Sequence, residues 1–380
     1  MPKVDFAAYA YYPALQCSFP EQHGYRQLSD DDKDSLLPIF ELNQRTYDDE
    51  NLVGSLEEIK TSAANRPFIL DLCKDPCPPP FVPSSKKLSD AALAKIKEQK
   101  KTQQSYNATL AKLLDPADGF SAWRALVGTL PNCVPVLQFT DAGTQSKNIL
   151  RQGSMLARHG CLAVRIHAES DPAIFSVIAL LVATLDSASS LLIIVDCGQG
   201  RARIAERADF ARKSIATILS EVEVLQRPDV RAVCLSNSFP NAGHDGLKEY
   251  ANLDLDLFEE AVEAFPFIYG DYGAVFRRKN TTMYVPGDWR ATVISPSATG
   301  WLIYRDPNAK DPEGWKTGSK EIQDHPLFVA LDTWGATVIA KAANGDIEDH
   351  KSPRFWYAAK VNLHLHRQTN WPSGSGDALE

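Results

Sequence analysis

Short apolar runs that close on a polar residue recur along the chain, at Tyr12 to Ser18, Leu37 to Asn43, Phe68 to Cys73, Val134 to Thr140, Leu162 to His167, Leu191 to Asp196, Arg231 to Ser238 and Phe267 to Tyr272. The clearest is SSLLIIVDCGQG, where five apolar residues end abruptly on Asp196. Runs this short and this continuously apolar read as strands buried on both faces, the habit of a parallel sheet. Eight of them, most followed by a helical pattern, predict an α/β chain folded as a (β/α)8 TIM-like barrel. Its polar strand ends would gather at one mouth.

Between the third and fourth runs the rhythm breaks. DPCPPPFVPSS holds too much proline for a strand or helix interior and reads as an extended loop. SDAALAKIKEQKKTQQSYNATLAKLL and FSAWRALVGTL then predict two helices, so 74–132 is expected to be a Pro-rich loop plus a helical insertion after strand three. Earlier, after the first run and a short loop, Ser29 is placed to cap an acidic helix. Beyond Gly273, VFRRKNTTMYVPGDWRATVIS and GWLIYRD predict a β-hairpin extension over 274–318. HPLFVALDTWGATVIAKAAN reads as a closing helix, His364 and His366 alternate as on a strand, and 373–380 reads as a flexible tail. The expectation is a single decorated barrel domain over 1–380.

Composition narrows the classes. With 44% apolar and 23% charged residues and no run near the roughly 18 apolar residues of a membrane span, a protein without a membrane segment is expected. MPKVDFAAYAYYP lacks the layout of a secretory signal, which points to the cytoplasm. A formal net charge of -8 disfavours broad nucleic-acid binding. The lysines at 95, 97, 100 and 101 have no interleaved aromatics and read as a solvated helix face. Cys73 and Cys77 lack the second ligand pair that a zinc site needs. Ser236 and Ser238 lack a G-x-S-x-G frame, and no P-loop motif is present.

The candidate chemistry lies at the strand ends, since residues of one parity face a barrel's interior and those nearest the C-terminal end line its pocket. Glu41, Asp71, Asp196 and Asp271 are the candidate catalytic acids. Clustered carboxylates repel unless a cation relieves them, which makes Glu41, Asp71 and Asp196 candidate ligands for Mg²⁺. Gln16, Arg165, His167, Ser238, Tyr272, Arg290 and Arg305 are candidate substrate-binding residues, with Arg165 holding an anionic group. His167 is a general base or a hydrogen-bonded wall residue. Arg277, Arg278, Lys279, Arg290 and Arg305 concentrate charge after strand eight, where barrels often bind phosphate. Metal-assisted hydrolysis of a phosphate-containing ligand is one reading. A structural Arg165–Asp196 ion pair is the other.

YYPALQCSFPEQHGYRQL with LLPIFELN, LAVRIHA, LLIIVDCG, LSNSFP, and FIYGDYG followed by a hairpin bearing WLIYR resemble the T4 beta protein family of phages and bacteria. The resemblance covers most of the chain and departs at 74–132 and at DWRATVIS. It implies a barrel-like fold in a phage-related or antiviral defence setting and carries over no catalytic residue. The expected partner is then a small anionic ligand, or a protein partner of a phage or defence system, and the alternative to a hydrolase is a non-catalytic binding or regulatory component of such a complex.

Overall fold

The computed structural model describes residues 3–44, 49, 51–77, 79–80, 89–158, 160–241, 243–277 and 289–370. In chain order the strands are β1 (Tyr11–Gln16), β2 (Ile39–Leu42), β3 (Phe68–Leu72), β4 (Cys133–Pro135), β5 (Leu162–His167), β6 (Leu191–Gln199), β7 (Arg231–Asn237), β8 (Gly246–Ala251), β9 (Ile268–Asp271), β10 (Arg290–Pro296) and β11 (Gly300–Ala309). Eight of them form one sheet in the order β4-β3-β2-β1-β9-β7-β6-β5, every pair parallel. A parallel bridge from Val136 to Ala163, with Leu137 N–H donating to Ala163 O at 2.8 Å, joins β4 to β5. The ring is thereby nearly closed, and the fold is the expected (β/α)8 barrel with helices around it.

Period-2 alternation divides the side chains between two cores. Tyr12, Ala14, Ile39, Ile69, Val134, Ala163, Leu192, Ile194, Val233 and Leu235 fill the barrel interior. Tyr11, Leu15, Phe40, Leu70, Val164, Ile193, Val195 and Cys234 pack outward against the helices. The predicted cap holds, with Ser29 Oγ accepting from Asp32 N at 3.1 Å, and Ser89 Oγ caps the first helix of the insertion by accepting from Ala92 N at 3.3 Å. The insertion contains helices Asp90–Leu113 and Ala117–Val127, and Trp123 Nε1 anchors the second to Val136 O at 3.0 Å.

Several elements differ from expectation. The supposed loop after β1 is helix Phe19–Arg26, capped by Ser18. β4 ends at Pro135, well short of Thr140, and the side chain of Gln152 takes the Gln138 N–H at 2.8 Å. The hairpin gains β8 as a third strand, giving an antiparallel sheet β10-β11-β8. Helix Glu313–Gln323 follows it. Its Gly314 and Gly318 lie so close to Asp306 and Tyr304 of β11 that a Cβ would collide. The closing helix is only Trp334–Ala343.

The segment carrying His364 and His366 is helix Pro353–Thr369, not a strand. Val361 and Leu365 of that helix join the outer barrel core, while Trp356, Ala359 and Leu363 join the core of the extension. Burial on several sides hides its helical period in the sequence. Residues 278–288 of the predicted hairpin, 81–88 of the Pro-rich loop and the tail from 371 lie outside the described residues. All seven cysteines are thiols.

Candidate functional site at the barrel mouth

Arg165 is the hub. It lies two residues after Ala163 on the inward parity of β5, one turn of the pleat below the mouth, with its side chain 5% exposed. Its Nε and Nη2 donate to Asp196 Oδ2 at 2.9 and 2.6 Å, and Nη2 also donates to Tyr272 Oη at 3.1 Å. Nη1 donates to Asp71 Oδ2 at 3.0 Å and to Glu41. A guanidinium has five N–H donors, and these five contacts engage them all. Register explains the convergence: β2 and β3 pair Glu41 with Asp71, β5 and β6 pair His167 with Asp196, and the inward residues of opposite walls meet at Arg165.

Burial by itself raises a carboxylate pKa, and here the arginines outweigh it. Arg277 and Arg165 hold Glu41 down to about 2 against that burial. Arg165, then His167, hold Asp196 well below the usual carboxylate range in the same way. Burial also works against the charge of Arg165, and Asp196 and Glu41 lead the groups that keep it protonated. The charge relief that the sequence reading assigned to a divalent cation is supplied by guanidinium groups. Among the described residues, no three His, Cys, Asp or Glu side chains are grouped to hold a metal ion.

Above this network opens a cavity of about 320 Å³ lined by Gln16, Glu41, Asp71, Cys73, Lys74, Asp75, Arg165, His167, Gln199, Tyr272 and Arg277 among others. His167 Nδ1 stands 3.1 Å from Asp196 Oδ2, with the imidazole side chain 43% exposed and the carboxylate 0%. Tyr272 Oη donates to the same carboxylate at 2.6 Å. Arg277 lies over the Tyr272 ring at 4.1 Å, donates to Ala14 O at 2.8 Å and pairs with Glu41. Gln199 Oε1 accepts from Arg277 N at 2.9 Å and so fixes its backbone. Lys74 Nζ donates to Phe139 O at 2.8 Å.

The structure thus gathers Gln16, Glu41, Asp71, Arg165, His167, Asp196 and Tyr272. It does not gather the rest. Asp271 shares outward parity with Tyr269 and faces the C-terminal helix, where it accepts from Tyr11 Oη at 2.5 Å, Tyr269 Oη at 2.9 Å and Gln368 Nε2 at 3.2 Å. His364 Nε2 lies 2.7 Å from it. Burial raises the Asp271 pKa, but His364 outweighs it and holds the value at about 2.

Ser238 is also outward, because Val233 and Leu235 take the inward parity of β7. Its N and Oγ donate to Asp254 at 2.8 and 2.9 Å. Arg290 and Arg305 meet Asp245 at 2.9 and 3.0 Å on the antiparallel sheet, away from the cavity. Arg278 and Lys279 lie outside the described residues.

Lys74, Gln199 and Arg277 complete the lining and were not singled out as site residues from the sequence. Lys74 follows β3 by two residues and Gln199 ends β6 beyond a register shift. Extending the strand-end rule two or three residues into each loop would have reached both. Arg277 was visible only as one member of a basic run.

A family model described as Beta protein matches residues 11–370. Protein beta of Enterobacteria phage P4 is 27% identical over 376 residues, covering 96% of this chain and 94% of the phage protein. The family match runs from the first residue of β1 to just past the C-terminal helix, and so takes in every barrel strand and all the gathered residues. With that span matched, and with a phage relative over nearly its whole length, the chain belongs to the Beta protein family.

Proposed function

We propose that the mouth cavity binds a small anionic, phosphate-containing ligand and hydrolyses it, in a phage-related or antiviral defence setting. Arg277 supplies the counter-charge, because every donor of Arg165 is already engaged. His167, steered by Asp196, is the general acid–base. One observation carries the reading: the His167 ring lines the cavity while its Nδ1 is held 3.1 Å from a fully buried carboxylate. That contact orients an imidazole for proton transfer. Glu41, Asp71 and Asp196 then act as an ionised frame that keeps Arg165 charged, and Tyr272 supports both Asp196 and Arg277.

The test joins calorimetric titration with inorganic phosphate to release assays on p-nitrophenyl phosphate and bis(p-nitrophenyl) phosphate. Arg277→Gln is expected to weaken phosphate binding about tenfold. His167→Ala is expected to lower turnover about 10²- to 10⁴-fold with phosphate affinity retained. EDTA is expected to leave phosphate binding unchanged, since guanidinium groups neutralise the acids. Turnover unaltered in His167→Ala would overturn the catalytic part. The saturation of Arg165 favours a second reading, a rigid binding component without turnover. Phosphate binding with neither ester cleaved would select it.

A further inference from the structure

Lys74 differs from the other cations of the cavity. Arg165 faces three carboxylates and Arg277 pairs with Glu41. The Lys74 Nζ has instead a neutral acceptor, Phe139 O at 2.8 Å, and the Phe139 ring centroid at 4.5 Å. Among the described residues it forms no ion pair. The Nζ surroundings lower its pKa by burial, with Asp71 opposing and Arg165 adding to the effect. Lys74 is exposed as a residue, but its Nζ is held at the cavity wall by a neutral carbonyl and an aromatic face, so an amine without a carboxylate partner is presented to a cavity of ligand size, where it can act as a nucleophile.

We propose that Lys74 is an amine nucleophile that joins a small carbonyl ligand, an aldehyde or 2-oxo acid bearing an anionic group, as an imine at the barrel mouth. The choice of an anionic ligand rests on the reading of Arg277 given above. In the step, the Nζ lone pair forms a C–N bond as the carbonyl π pair moves to oxygen. The nitrogen loses two protons in turn to solvent, the oxygen gains two and leaves as water, and a C=N bond remains. His167 is the cavity's acid for the departing oxygen. No oxidant or reductant is needed.

Lys360 is the internal control. Burial lowers it to about 7, yet its Nζ lies between the Phe239 and Tyr357 rings and does not line the cavity.

The full-length chain is incubated with glyoxylate and sodium cyanoborohydride, which reduces an imine to a stable carboxymethyl-lysine, and mapped by peptide mass spectrometry. One carboxymethyl group on Lys74 is expected, slowed several-fold by excess inorganic phosphate. Lys74→Met and Lys74→Arg should both lose it, and an unchanged unfolding midpoint in the arginine variant keeps the loss interpretable. Label on Lys360, or spread evenly over exposed lysines, would overturn the proposal. Phosphate binding with no Lys74 adduct would remove the imine and leave the anion reading standing. An adduct without phosphate protection would keep the imine and remove that reading.

Discussion

Removing Arg165 would leave Glu41, Asp71 and Asp196 buried with much of their positive partner gone. Breaking a buried pair from one side costs about 3–5 kcal/mol, more than most core truncations, because an uncompensated charge remains. Arg165→Met is therefore expected to lose about that much in urea unfolding. A loss under about 1 kcal/mol would mean that the acids have another source of relief. Buried acids on both faces of the barrel wall set an acid limit. Glu41 and Asp271 are each held to about 2 when folded, below their unfolded values of roughly 4, so their contribution is complete above pH 4 and lost as pH falls toward 2. Acid titration followed by circular dichroism should show stability falling across that window, with a smaller drop in Glu41→Gln. Strand parity made Glu41, Asp71, Arg165 and Asp196 legible from the sequence. It failed at Asp271, where an acid and Tyr272 stand side by side and only one can face inward.

The C-terminal helix ties the extension to the barrel. Trp301 Nε1 of β11 donates to His364 Nδ1 at 3.4 Å, and His364 Nε2 meets Asp271 at 2.7 Å, which links the extension to a buried acid of the barrel wall. His364→Ala opens that link beside a buried carboxylate and is expected to destabilise by about 2–4 kcal/mol, read as a shift in the urea midpoint.

A second contact of this helix responds to pH. His23 of helix Phe19–Arg26 packs against Trp334 and Phe355, and His350 packs against the same two rings. Burial first, and then neighbouring cations, lower the pKa of His23, while burial is the leading cause for His350. The folded state thus favours neutral imidazoles. Their contribution is present above the unfolded value of roughly 6.5 and is lost as pH falls below it. The unfolding midpoint should decline from pH 7 to pH 5.5, and less steeply in His23→Leu. These elements were poorly legible, because glycines needed for close helix–sheet contact and a helix buried on several sides both erase the periodic signal.

Across the whole molecule, the (β/α)8 ring was the most legible feature, since each strand is a continuous apolar run between helices. The antiparallel sheet was only half legible: β8 is polar and largely exposed, and nothing in its pattern marks it as a strand. Closure matters because it makes residues from β2, β3, β5 and β6, far apart in sequence, into one buried group around Arg165. Energetic coupling between two of them is the direct consequence. The decisive measurement is a double-mutant cycle of Arg165→Met and Glu41→Gln, which face each other from opposite walls, in urea unfolding. A coupling energy of about 1–3 kcal/mol is expected for side chains in one buried network, whereas single-mutant losses that add within about 0.5 kcal/mol would contradict the convergence of these walls at the barrel mouth.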